Sequence, residues 1–206
     1  MKKAVLISIR PEWCDLIVLG KKTIEVRKTR PTLETPFKAY IYCTGHDGWV
    51  MKSPKAGVQK MDSRVIGEFT CDKIDRLTHV GAMGSNEPPK LHIETSDLRH
   101  KPANDLLQAA CLTEVEIEKY LKGGDGYGWH ISDLKIYDKP RDLDEFSRFG
   151  FFGMGRSNCV CGNWRCENYE PSGSYMIPPT CKIDGCSICR PPQSWCYVKE
   201  MQYGHR

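Results

Sequence analysis

The sequence predicts an α+β fold that is mainly β: a small, partly closed β-barrel of mixed or antiparallel strands with short flanking helices. Two observations support this fold. About six segments show the apolar alternation or the short apolar runs of strands, whereas two or three short segments carry helix signals. The strand segments are spaced too irregularly for repeated β–α–β units, so a small barrel fits best.

The first elements follow from local patterns. Residues 4–9 form a short apolar, β-branched run, which predicts a buried strand. Pro11 suits the first turn of a helix, and Gly20 ends that helix where a left-handed residue is needed. A second strand is predicted at about residues 23–28. A third is predicted at residues 37–43, where apolar and polar or aromatic side chains alternate.

The later strands are joined by longer polar segments. Strands are predicted over residues 64–74, 128–137 and 194–199. Residues 45–63 are predicted as a basic loop and residues 81–104 as a polar loop, because Gly, Pro, Ser and charged residues dominate them.

Two further helices are predicted in the second half of the chain. Thr113 and Glu116 have the spacing of a capping box, which starts a helix over residues 114–121. A short helix is predicted within residues 142–149.

The composition indicates a globular, cytoplasmic protein. The chain has 206 residues, 40% of them hydrophobic, which suits one domain with an elaboration or two small ones. The formal net charge of +4 permits an anionic partner without requiring one. No apolar run reaches the length of about 18 residues that a membrane span needs. The beginning of the chain, MKKAVLISIRPEW, lacks the long apolar stretch of a signal peptide.

The most informative segment is GKKTIEVR at residues 20–27, which reads as a strand entered through a turn. Side chains alternate faces along a strand, so Glu25 and Arg27 share one face and the apolar Ile24 and Val26 share the other. Such a segment is either a solvated edge strand with an internal ion pair or a charged face with a function.

This segment and its flanks resemble the ASCH domain, a branch of the PUA-like β-barrel superfamily. Gly20, Lys22, Glu25 and Arg27 match the fixed positions of the family's Gly-x-Lys-x-x-Glu-x-Arg motif. The segments ISIRPEW, PFKAYIYC and GYGWHISDLKIYDKP also resemble ASCH proteins, with bacterial and prophage-encoded members the most similar. The resemblance covers roughly residues 1–140 and the RPPQSWCYV ending, and it implies a PUA-like barrel.

The resemblance implies that the protein binds RNA, another single-stranded nucleic acid or a modified nucleoside in a basic cleft beside the motif strand. Lys22 and Arg27 would meet a phosphate or a base edge through charge-assisted hydrogen bonds. Glu25 would accept a hydrogen bond from an exocyclic amine or orient its basic neighbours. Arg10, just before the first helix, belongs to the expected ligand-binding set.

Aromatic residues near a basic groove are candidates for stacking on bases. These candidates are Trp13, Tyr42, Trp49 and Trp129. Core packing is the alternative for each of them and is favoured for Trp13 and Trp129, whereas Trp49 lies in a polar segment. His130 is the best histidine candidate for acid–base chemistry or ligand binding, with a structural role as its alternative.

Hydrolysis is the main alternative to binding. One ASCH subgroup deacetylates N4-acetylcytidine with a Lys and, three residues later, a Thr nucleophile. Lys22 matches that Lys, but Glu25 stands at the Thr position, so the nucleophile is missing. Glu25 as a general base on water and Lys22 as the group that polarises a carbonyl would still allow hydrolysis. Ribonuclease activity, reported for other ASCH proteins, and a phage-encoded protein-interaction module are further alternatives.

The cysteines fall into two groups. Cys14, Cys43, Cys71 and Cys111 lie in apolar patterns and are predicted to be small buried hydrophobes. A second group is clustered, and clustered cysteines in a cytosolic chain indicate a metal site. We expect a structural zinc ion on four of the six candidates Cys159, Cys161, Cys166, Cys181, Cys186 and Cys189.

These predictions divide the chain into three parts. Residues 1–150 form the ASCH or PUA-like barrel, and residues 151–190 form a Cys-rich zinc-binding insertion. Residues 191–206 contribute the final strand of the barrel and a C-terminal tail.

Overall fold

The computed structural model describes residues 2–45, 50–53, 57–61, 63–81, 89–94, 99–149, 169–170, 180–181, 187–188 and 190–202. The strands in these residues are β1 (Lys3–Ile9), β2 (Ile24–Arg27), β3 (Phe37–Cys43), β4 (Val50–Ser53), β5 (Gly57–Lys60), β6 (Arg64–Cys71), β7 (Ile74–Val80), β8 (Lys90–Glu94), β9 (His100–Pro102), β10 (Gly126–His130), β11 (Ser132–Arg141), β12 (Tyr169–Glu170), β13 (Thr180–Cys181) and β14 (Trp195–Lys199). The helices are α1 (Pro11–Val18), α2 (Asn104–Ala109), α3 (Glu114–Leu121) and a 3-10 turn at Leu143–Glu145.

Two five-stranded sheets make up most of the described structure. The first has the strand order β11-β6-β3-β1-β14, and the second has the order β2-β10-β7-β8-β9. In the first sheet β1 pairs parallel with β3 and antiparallel with β14, so this sheet is mixed. The α+β, mainly β fold class is confirmed. Within the described residues the strands form two five-stranded sheets and two two-stranded sheets, β4-β5 and β12-β13, and not a single closed barrel.

The chain divides into two compact units, each built from separate stretches. Unit 1 comprises residues 1–9, 39–67 and 137–206, and unit 2 comprises residues 10–38 and 68–136. The core of unit 1 includes Tyr40 and Phe146, whose rings meet edge to face with centroids 5.0 Å apart.

The core of unit 2 lies between one face of the second sheet and helices α2 and α3. Two glycines of β10 give the helices room. A Cβ atom on Gly128 would lie 2.9 Å from Leu106 Cδ1 and 3.2 Å from Ile24 Cγ2. A Cβ atom on Gly126 would lie 2.9 Å from Leu121 Cδ2. The GYGWH sequence of β10 is therefore suited to close helix–sheet packing.

Several predicted elements are confirmed. The strand at Phe37–Cys43 and the helix at Glu114–Leu121 have the predicted bounds. The Thr113 hydroxyl accepts from the Glu116 main-chain N–H, and the Glu116 carboxylate accepts from the Thr113 N–H, so both halves of the capping box are present. The final strand is found at Trp195–Lys199.

Other predicted elements were wrong in detail. The single strand predicted over residues 64–74 is two strands, β6 and β7, separated by the exposed pair Asp72 and Lys73. The single strand predicted over residues 128–137 is also two, β10 and β11, which belong to different sheets. Asp133 has a left-handed φ of 47°, which breaks the regular alternation there.

The predicted loops also contain regular structure. Strands β4 and β5 pair within residues 45–63, and β8 and β9 pair within residues 81–104. The short helix expected within residues 142–149 is a 3-10 turn at Leu143–Glu145. Among the helices of the described ranges, none has the length and apolar character needed to cross a membrane.

Candidate ligand-binding site

Three charged side chains from the segment 20–27 are buried together in unit 2, and we call Lys22, Glu25 and Arg27 the motif cluster. Lys22 is 2% exposed, Glu25 6% and Arg27 9%. An Arg27 guanidinium nitrogen lies 3.0 Å from Glu25 Oε1, and Lys22 Nζ lies 3.4 Å from Glu25 Oε2. These ion pairs are removed from water, which excludes the alternative of a solvated edge strand.

Lys22 is held by two helices that are far apart in sequence. Its main-chain N–H donates to Leu16 O at 3.0 Å, at the end of α1. Its ammonium group donates to Ala110 O at 2.6 Å, at the end of α2, where the helix dipole favours a positive charge. The same ammonium lies 4.9 Å from the ring centre of Trp13, which adds a cation–π contact.

Glu25 is the centre of the motif cluster because its carboxylate meets both cations. Its Oε2 atom is buried and has no hydrogen-bond partner within the described residues, although Lys22 Nζ is nearby. Burying ions is costly unless each is paired and hydrogen-bonded. A buried carboxylate oxygen with unused acceptor capacity is therefore a feature that stability alone does not explain.

The aromatic candidates are placed differently from one another. Trp129 lies opposite Glu25 in the β10–β2 pairing, is fully buried, and meets Phe37 edge to face with centroids 5.8 Å apart. Its placement supports core packing. Trp13 is half-buried beside Lys22. Tyr42 is buried in the core of unit 1, and Trp49 lies outside the described residues.

Arg10 does not join the motif cluster. Its side chain is 77% exposed and lies 3.9 Å from the carboxylate of Glu12. Such an exposed pair contributes little to stability.

His130 belongs to a second group of ionisable residues, which we call the Asp75 cluster: Lys73, Asp75 and His130. His130 lies opposite Ile24 and therefore on the sheet face that Glu25 does not occupy. Its Nε2 atom lies 2.7 Å from Asp75 Oδ2, and Lys73 Nζ lies 2.8 Å from Asp75 Oδ1. Burial by itself raises the pKa of Asp75, but the hydrogen bonds and charges of His130 and Lys73 outweigh it and lower that pKa.

Sequence reasoning missed two buried acids. Asp75 is 9% exposed, and Glu68 is 5% exposed with its carboxylate 2.9 Å from Lys38 Nζ. Both lie in or beside the apolar stretch RVIGEFTCDKID. An acid at an inward position of such a stretch was the available signal, because a buried carboxylate needs a basic partner.

The cysteine predictions are only partly within the described structure. Cys14, Cys43 and Cys71 are buried, and burial raises the pKa of Cys71 to about 12, so this thiol stays neutral. Cys111 is half-buried. Of the zinc candidates, Cys181 lies in β13 opposite Tyr169, and the other candidates lie outside the described residues. Within the residues that are described, no group of three or more metal-binding side chains is found.

The fold and the motif cluster together define a mainly β protein of the α+β class with a buried site of two cations around one carboxylate. A scan against protein-family models gives no match, and neither does a search of curated proteins. Among solved structures, the chain is similar to the crystal structure of ASCH from Zymomonas mobilis, at 22% identity and a TM-score of 0.44. That match covers 69% of this chain and 75% of the other.

Two substituted forms of the Zymomonas mobilis protein match in the same way. One is 21% identical with a TM-score of 0.44, covering 70% of this chain and 78% of the other. The second is 22% identical with a TM-score of 0.43, covering 69% and 75%. These structures bear the name of the family that the motif resembles.

Proposed function

We propose that the protein binds RNA or a nucleotide at the motif cluster. The observation that supports this function is the burial of Lys22, Glu25 and Arg27 around a single carboxylate whose Oε2 atom has no hydrogen bond within the described residues. Three buried charges are an expensive arrangement for a merely structural role, and clusters of this kind concentrate at functional sites.

The chemistry of the motif cluster suits a nucleotide. The Arg27 guanidinium and the Lys22 ammonium are donors for phosphate oxygens or for acceptors on a base edge. Glu25 Oε2 is an acceptor for an exocyclic amine. Trp13 lies over the ammonium of Lys22, so a base bound at the motif cluster would stack on the indole.

An RNA titration at several salt concentrations tests this function. Lys22→Met is expected to weaken binding and to reduce the slope of affinity against salt, because one ionic contact is lost. Lys38→Met is the matched control, since it also removes a lysine from a buried carboxylate, that of Glu68. The proposal fails if wild type does not bind at low salt, or if both variants weaken binding equally while staying folded by circular dichroism.

Hydrolysis at the same residues is the second candidate, and one distance favours it. Lys22 Nζ lies 3.4 Å from Glu25 Oε2 without a hydrogen bond between them, which leaves the carboxylate oxygen available as a base for water. The Lys22 ammonium would then stabilise the oxyanion that forms at an attacked carbonyl. Incubation with N4-acetylcytidine tests this candidate. Release of cytidine that Glu25→Gln abolishes, while the variant stays folded by circular dichroism, supports hydrolysis, and no release by wild type rejects it.

We also propose a structural zinc ion on four of the clustered cysteines. The basis is their spacing, with Cys186-x-x-Cys189 as one pair and either Cys161 with Cys166 or Cys159 with Cys161 as the other. Metal analysis of gently purified protein should give about one zinc ion per chain. A metal content near zero before any chelator is added would reject the site.

A further inference from the structure

The Asp75 cluster lies on the face of the second sheet opposite to Glu25, and neither binding nor hydrolysis at the motif cluster uses it. The exposed fraction of its side chains increases from Asp75 to His130 to Lys73. The Asp75 side chain is 11% exposed, His130 30% and Lys73 63%. A buried carboxylate thus holds two basic groups at the protein surface.

Each oxygen of the Asp75 carboxylate contacts one of these two groups. Lys73 Nζ lies 2.8 Å from Oδ1, and His130 Nε2 lies 2.7 Å from Oδ2. The main chain fixes the same pair of residues, because the His130 N–H donates to Lys73 O at 3.0 Å. These contacts restrict both side chains, which lowers the entropic cost of ordering them for a ligand.

Each of the two basic groups has hydrogen-bonding capacity that Asp75 does not use. An ammonium has three N–H groups, and Lys73 uses one on Asp75 within the described residues. In the part of the chain that is described, His130 Nδ1 makes no hydrogen bond, and it is not among the buried polar atoms. When the imidazole is protonated, this atom is a donor as well.

The charge of the cluster depends on the protonation of His130. Asp75 stays ionised at neutral pH, so Lys73 and Asp75 balance each other and a protonated His130 leaves one net positive charge. The neighbouring Cys71 thiol stays neutral, and its Sγ donates to Lys73 O. Asp72 is an exposed acid adjacent in sequence, and no ion pair between it and His130 is found among the described residues.

Two other elements complete the surroundings of His130. On β2 its partner is Ile24, which is apolar. Two residues further along the chain, β11 begins with Ser132, whose hydroxyl donates to Thr70 O. The exposed Asp133 follows it. Among the described residues, Asp75 is the charged group that contacts His130, and Lys73 contacts the same carboxylate.

We propose that Lys73 and His130, held side by side by Asp75, form a proton-linked binding site for a phosphate group. Two ammonium N–H donors and one imidazolium N–H donor match the several oxygens of a phosphate, and charge-assisted bonds to such oxygens are strong. Binding requires the protonated imidazole, so acid favours it. The site is separate from the motif cluster and takes either a free phosphate monoester or a phosphate of a bound nucleic acid.

The test uses sulfate first, because sulfate keeps its charge across the range in which histidine titrates. Sulfate binding to wild type, measured by calorimetry, should weaken about tenfold or more between pH 5.5 and pH 8. Methyl phosphate and an RNA oligomer without terminal phosphates then distinguish a monoester ligand from a backbone phosphate.

Variants assign the effect to the two basic residues. His130→Gln cannot be protonated, so its sulfate affinity should be the same at both pH values and close to that of wild type at pH 8. Lys73→Met should bind sulfate poorly throughout. Lys119→Met, which removes an exposed charge from α3, is the control and should behave as wild type.

A measurement on wild type keeps the test independent of variant folding. Sulfate should move the NMR titration midpoint of the His130 imidazole to higher pH, because the ligand favours the charged form. The proposal is overturned if sulfate does not bind at pH 5.5, if binding is equal at both pH values, or if the His130 midpoint does not move. RNA binding at the motif cluster is measured separately with Lys22→Met, so the two proposals fail independently.

Discussion

Replacement of Glu25 by glutamine tests whether the ion pairs of the motif cluster are buried strongly enough to affect the free energy of unfolding. The substitution keeps the shape of the side chain and removes its charge. Lys22 and Arg27, which are 2% and 9% exposed, then lose their shared counter-charge. Removal of one partner from a buried pair costs about 3–5 kcal/mol, because the remaining charge stays out of water.

An exposed ion pair in the same unit provides the control for the stability loss of Glu25→Gln. Glu12 lies 3.9 Å from Arg10, and their side chains are 57% and 77% exposed. Glu12→Gln should therefore cost at most about 1 kcal/mol, including the loss of a favourable charge in the first turn of α1.

Urea denaturation at neutral pH measures both variants. With a slope of about 2 kcal/mol per molar urea, Glu25→Gln should lower the midpoint by about 1.5–2.5 M, without a change of slope. In 1 M salt this loss should remain nearly the same, because buried charges are screened much less than exposed ones. A loss below about 1 kcal/mol, equal to that of Glu12→Gln, would refute the reasoning.

Three further predictions concern unit 2. Gly128→Ala should destabilise the protein by about 1–3 kcal/mol in urea, because the new methyl group would lie 2.9 Å from Leu106 Cδ1. Its cost should fall in a Leu106→Ala background, and an unchanged cost would contradict the packing argument. The lowered pKa of Asp75 means that its ionised form stabilises the fold, fully above its usual value of 3.8 and progressively less as the pH falls below that value. His130→Gln should therefore destabilise the protein more at pH 5 than at pH 2.5, and an equal effect at both pH values would contradict this linkage. Thr113→Ala should cost about 1 kcal/mol through loss of the capping box, measured as a lower melting temperature, and a change below about 0.3 kcal/mol would argue against the cap.

The sequence was a good guide where local physics decides the structure. Alternation placed Glu25 and Arg27 on one face of β2, and the capping-box spacing located the start of α3. Both depend on residues a few positions apart. The fold class followed for the same reason, since strand patterns and short helix signals are local properties.

Features that depend on distant partners were not predictable. The segment IDRLTHV of β7 has charged side chains among its apolar ones and does not alternate, and it becomes a strand because β10 and β8 pair with it. The burial of Lys22 depends on Ala110 as an acceptor, and nothing near residue 22 indicates that carbonyl. The same holds for Asp75, whose partner His130 lies 55 residues later.

The hydrogen bond from Lys22 to Ala110 has a consequence for the order in which the protein matures during synthesis. The two residues are 88 positions apart, so at about 5–20 residues per second the ribosome makes the acceptor roughly 4–18 s after the donor. Until then the lysine stays in water, and the geometry of the motif cluster does not exist. An N-terminal fragment that ends before α2 would contain all eight residues of GKKTIEVR but lack the site. The motif therefore does not form the site by itself.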